Sequence, residues 1–170
     1  MYGCCNLDLW TAEKVKEICR VIGMSYGESL TQKVSARAVA VLAVESLNIL
    51  QEDDVYALFD FLLTQVQDRK EYAKAEELTE KEISASWLVT GLINILRDTG
   101  LADQKDFSFL FNGGEKNTYA AWQKIGFFKK ELLAYFKPET SLAQDKFMLV
   151  KPFFEQALRF INFEAQDFRP

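Results

Sequence analysis

The sequence predicts an all-α, single-domain bundle of six or seven helices packed around a central two-faced helix at about 31–50. Three observations carry that reading. Apolar residues recur with the helical period along most of the chain. Capping residues of the Ser, Thr and Asp type stand at the head of these runs. The one partly alternating stretch, LADQKDFSFLF from Leu101 to Phe111, has no second strand to pair with, so it reads as a short helix or an aromatic plug.

The segment Val34–Leu50, VSARAVAVLAVESLNIL, carries apolar residues on two opposite sides. Ala36, Ala40, Ala43, Val44, Leu47 and Leu50 line one side, and Val34, Ala38, Leu42 and Ile49 the other. Only two narrow polar seams remain, Ser35 with Ser46 and Arg37 with Asn48. Such a helix is expected inside a fold, with its alanine side allowing a close crossing. Before it, Asp8 or Thr11 caps a first helix that Gly23 stops, residues 24–30 form a connection, and Thr31 caps the central helix.

Asp53 or Asp54 caps the next helix, where Val55, Phe59, Leu62, Leu63 and Val66 share a stripe. Residues 67–82, QDRKEYAKAEELTEKE, are charged in both signs and form a helical extension or a connection; the lack of Gly and Pro favours the helix. Thr79 with Glu82 makes a capping box for a helix with Ala85, Leu88, Leu92, Ile95 and Leu96 inward and Gly100 as its stop. After a turn at Gly113-Gly114, Asn117 or Thr118 caps a helix through Ala121, Ile125, Phe128, Leu132 and Phe136, ended by Lys137-Pro138. The last helix begins near Thr140 or Ser141 and buries Phe147, Val150, Phe154, Ala157, Leu158 and Ile161, with a kink or break expected at Pro152. Residues 1–7 and 165–170 are expected to be flexible termini, and no internal repeat is visible.

At 170 residues the chain is expected to bury roughly 70% of its unfolded surface without metal or disulfide support. Its formal net charge of −5 disfavours nucleic acid and anionic membranes as general partners. The odd count of three cysteines, two of them the neighbours Cys4 and Cys5, suits a reducing, cytoplasmic setting. The N-terminus lacks the basic start and apolar run of a signal peptide. Gly3 breaks the myristoylation pattern, so acylation of Cys4 and Cys5 is disfavoured against a free terminus. No apolar run reaches the ~20 residues of a membrane-spanning helix.

The chain contains no histidine, which removes Ser-His and Cys-His nucleophile pairs, His-Asp phosphohydrolase sites and Cys-His zinc sites. Carboxylate sites remain, but Glu52, Asp53 and Asp54 are consecutive at a helix start, where capping explains them. Glu77 and Glu80 have the spacing that opens an all-helical nucleotide pyrophosphatase motif, without the Glu-x-x-Asp that completes it. Gly113-Gly114 has neither the preceding strand nor the following Lys-Ser or Lys-Thr of a phosphate loop. No catalytic residue, metal ligand or cofactor is therefore expected.

Leu50–Leu58, LQEDDVYAL, resembles the entry to the third helix of a histone fold, and a short and then a longer helix precede it in the right order. The resemblance spans about the first third of the chain and implies an acidic, histone-fold-like pairing module. The chain departs from that pattern in its short central helix, its missing basic surface and the hundred or so residues without counterpart.

Three large aromatics fall off the apolar stripe of their helices: Phe61, Trp87 and Phe127. Such residues are either covered by a further layer or serve as anchors for a partner. The expectation is a non-enzymatic adaptor, inhibitor or regulatory subunit whose partner is another protein, in a homo- or hetero-oligomer, bound through these rings. The alternative is a helical binder of a hydrophobic small molecule, its pocket lined by the Phe-rich C-terminal half. A carboxylate and metal enzyme has the least support.

Overall fold

The computed structural model of the chain describes residues 36–111 and 119–167. Among these it is all-helical, with six α-helices and no strand. The helices are α1 (Ala36–Glu52), α2 (Val55–Thr64), α3 (Glu80–Thr99), α4 (Tyr119–Ile125), α5 (Lys129–Phe136) and α6 (Ser141–Asp167). Short 3-10 turns cover Ala75–Glu77 and Gln104–Phe107. The expected helix over 8–23, the connection at 24–30, the Thr31 cap, the Gly113-Gly114 turn and the cap at 117 or 118 lie outside the described residues.

Local chemistry explains where the helices begin and end. Asp54 caps α2 by accepting from the Ala57 amide. Thr79 and Glu82 form a complete capping box at the head of α3, and Gly100 closes that helix with a left-handed φ of 77°. The Thr140 hydroxyl accepts from the Ala143 amide in the first turn of α6. Each cap satisfies backbone groups that the helix itself leaves unpaired.

The innermost helix is α3, not the helix over 31–50. Every residue of α3 from Glu82 to Arg97 is buried, and α1, α2, α4 and α6 all pack against it. In α1, by contrast, Val41 and Val44 are 51% and 41% exposed, beside exposed Glu45 and Asn48. α1 thus has one buried face, made by Val39, Ala40, Leu42, Ala43 and Leu50, and it lies mainly along α6. Small hydroxyl residues let α3 be buried all round. Ser84 Oγ donates to the Glu80 carbonyl and Thr90 Oγ1 to the Ser86 carbonyl, both at 2.9 Å. Their polarity is consumed inside the helix, so these positions can face neighbours without stranding a polar group.

Around α3 the core is aromatic. Phe59 of α2 stacks on Phe136 of α5 with centroids 3.7 Å apart, and Phe154 of α6 meets Phe59 edge-on at 5.9 Å. The 101–111 stretch supplies the expected plug: Phe107 at the end of its 3-10 turn, and Leu110 and Phe111 beyond it, are all buried.

Four further expectations are corrected. Residues 65–79 are a connection with one 3-10 turn, so the favoured helical extension over 67–82 does not form. The expected single helix to Phe136 is two, α4 and α5, separated at Gly126–Phe128. Of the kink or break expected at Pro152, the break does not occur: α6 runs through it, with the proline ring exposed. The carbonyl of Met148, which loses its donor there, belongs to a residue whose side chain also faces solvent, where water can replace the bond. The helix also extends through residues 165–167, where a tail was expected.

Candidate functional site

The candidate site is an aromatic corner where the 65–79 connection is clipped onto the break between α4 and α5. Two backbone bonds make the clip, from the Arg69 amide to the Gly126 carbonyl at 3.2 Å and from the Ala73 amide to the Gln123 carbonyl at 2.9 Å. The Gln123 side chain returns a bond to the Ala73 carbonyl at 2.9 Å. Lys129 Nζ donates to the Val66 carbonyl at 2.7 Å and pairs with Asp68 at 3.2 Å. Gly126 is required by proximity, because a Cβ there would run into the Gln67 carbonyl oxygen.

Glu82, buried on α3, anchors the connection from beneath. Its carboxylate accepts from the Gln67 and Thr79 amides, both at 3.2 Å, and pairs with Arg69 at 3.2 Å. One side chain therefore completes the capping box of α3 and neutralises the part-buried Arg69 of the connection. Charge-assisted bonds to a carboxylate are about twice as strong as neutral ones, which suits a segment with a single 3-10 turn of its own.

On this base stand two large exposed rings. Tyr72 is 52% and Phe127 41% exposed, and they meet edge-on with centroids 5.4 Å apart. Phe128, half-buried behind them, meets Phe127 edge-on at 4.8 Å and contacts Phe109 at 4.8 Å. Lys124 Nζ lies 5.6 Å from the Tyr72 centroid, within cation–π range. The rings thus brace one another on this backbone.

The three aromatics singled out from the sequence fare differently. Phe127 is exposed in this corner. Phe61 is partly buried against the core. Trp87 is 1% exposed and belongs to the core, because α3 has neighbours on every side; it cannot anchor a partner at the surface. Tyr72 escaped the sequence reading because a ring inside a charged segment has no stripe to depart from. The available signal was its standing as the one aromatic in residues 67–82.

No protein-family model, curated protein or solved structure matches the chain. The histone-fold resemblance of Leu50–Leu58 therefore rests on those residues alone.

Elsewhere, a cleft of about 310 Å³ opens between the start of α2, the end of α5 and α6, lined by Val55, Tyr56, Phe136, Phe147 and Met148. It sits at the lower end of the size range of small-molecule pockets. Lys151 at its rim already donates to the Asp53 carbonyl at 2.9 Å. Among the described residues no three Cys, Asp or Glu side chains gather as metal ligands, and no helix is long and apolar enough to cross a membrane. Glu77, one half of the incomplete pyrophosphatase spacing, is exposed and accepts from the Lys74 amide at 2.8 Å.

Proposed function

We propose that the protein is a non-enzymatic binding module for another protein, of the adaptor, inhibitor or regulatory-subunit kind, and that the Tyr72–Phe127 corner makes the contact. One observation carries the reading: two adjacent large rings are half in solvent on a backbone that is clipped from both sides. Aromatic anchors of this type dominate binding energy when a partner covers them, and rigid anchors lose little conformational entropy on binding. A cytoplasmic setting is part of the proposal and follows from the cysteine usage. The cleft beside Phe147 is the weaker reading, because its one cationic group is already bonded within the protein.

The test is a comparison of Phe127→Ala and Tyr72→Ala with the native chain, in folding and in capture of partners from extracts of its own cell. Phe127 is more than half buried, and its loss opens toward solvent rather than leaving a closed cavity. Phe127→Ala should therefore cost about 1–2 kcal/mol of stability. Phe59→Ala, in the stacked core, should cost about 3–5 kcal/mol. Each corner variant should lose the proteins captured by the native chain. Capture of the same set by the double variant, or a core-sized stability loss in Phe127→Ala, refutes the proposal.

A further inference from the structure

We infer that the segment seated on the Tyr72–Phe127 corner is an acidic peptide stretch of the partner protein carrying an apolar side chain. The inference rests on the protein-binding reading above and concerns the chemistry of the partner. Residues 67–74 and 123–130 together hold six basic and two acidic residues, in a chain whose net charge is −5. Two of the six cations are committed internally, Arg69 to Glu82 and Lys129 to Asp68. The other four, Lys70, Lys74, Lys124 and Lys130, form no ion pair with a described residue. Against them stands one unpaired acid of the two segments, Glu71. Lys70, Lys74 and Lys130 are exposed, and Lys124 lies against the Tyr72 ring.

A local excess of positive charge around an apolar pair, on an otherwise acidic molecule, selects partners by sign. Carboxylates flanking an apolar side chain would meet the free ammonium groups while that side chain covers the rings. A broad acidic surface without the apolar element would also bring its charges within a Debye length, ~8–10 Å, of the chain's other acidic residues and be repelled there. The same net charge weighs against an anionic bilayer, which presents its charge over a far wider area than the corner.

A random peptide library panned on the native protein, with Tyr72→Ala/Phe127→Ala as counter-selection, tests this directly. The enriched peptides should carry Asp and Glu around an apolar residue. Measured by fluorescence anisotropy, their affinity should fall about 10-fold in Lys70→Glu/Lys124→Glu/Lys130→Glu and should weaken as salt rises. It should fall ~30-fold or more in the double-alanine variant. Neutral or basic peptides that bind the charge-reversed protein equally well overturn the acidic partner and leave the protein-binding reading standing. Failure of any peptide to distinguish native from double-alanine protein overturns both. Co-sedimentation with phosphatidylserine–phosphatidylcholine vesicles, lost in the charge-reversed variant and with no acidic peptide enriched, overturns the inference in favour of a membrane.

Discussion

Replacing Glu82 should undo the 65–79 connection more than it harms the helix bearing it. The carboxylate is almost fully buried, and its Arg69 partner is only 12% exposed, so neither resembles a surface ion pair. In Glu82→Ala the Arg69 guanidinium loses its counter-charge, and the Gln67 and Thr79 amides lose their acceptor. Stranding one member of a buried pair costs about 3–5 kcal/mol. The orphaned amides would add ~1–3 kcal/mol each if they stayed dry, but both residues are exposed and water can reach them. The expected total is therefore about 3–5 kcal/mol by urea denaturation. Arg69→Met removes the charge while keeping an apolar stem, and the double variant Arg69→Met/Glu82→Ala should be more stable than the sum of the single losses predicts, by ~1 kcal/mol or more. Hydrogen exchange should localise the effect, with the Arg69 and Ala73 amides losing protection in Glu82→Ala before the middle of α3 does. A loss below about 1 kcal/mol with no coupling would place the pair among ordinary surface ion pairs and refute the anchoring argument.

Gly126→Ala should cost about 1–3 kcal/mol, through collision with the Gln67 carbonyl rather than backbone strain, since Gly126 has no left-handed φ; an unchanged urea midpoint would contradict it. Ala40→Leu and Ala43→Leu should each overpack the buried face of α1 and cost ~1–3 kcal/mol, measured the same way. Tyr135 titrates above its ordinary value of 10.0 because burial, and then the neighbouring Asp106 carboxylate, disfavour its anion. The folded state therefore holds the phenolic proton more tightly than the unfolded state, and the corresponding stability is present below pH ~10 and lost progressively above it. Stability measured across alkaline pH should fall less steeply in Tyr135→Phe than in the native protein.

How much of this was legible in the sequence depends on the range of the interactions involved. The caps at Asp54, Thr79 with Glu82, Gly100 and Thr140 are local, made within a turn or two, and they stand where the sequence reading puts them. The inward stripes of α2 and α6 follow the same helical period. What the period could not convey was which helix has neighbours on every side. α3 displays Ser84, Ser86, Thr90 and Asn94 among its apolar residues, and only contacts with other helices show that this side is covered too. Trp122 Nε1, for instance, donates to Thr90 Oγ1 from α4 at 3.1 Å. The α4–α5 break was hidden for a related reason. Ala121, Ile125, Leu132 and Phe136 keep helical phase across it, while the Gln67 carbonyl packed against Gly126 comes from far away in sequence. Tyr72 becomes part of a site through that same remote contact.

The pairing of α1 with α6 also matters during synthesis. Lys151 reaches the carbonyl of Asp53 across 98 residues, so the end of α1 leaves the ribosome long before its main neighbour exists. At ~5–20 residues per second, that interval is about 5–20 s, far longer than the microseconds a helix needs to form. During it Val39, Leu42, Ala43 and Leu50 can meet α2 and α3 but lack α6, the helix against which α1 mainly packs. An arrested nascent chain stopped before Ser141 should therefore be a better client for a hydrophobic-binding chaperone than one extended through α6.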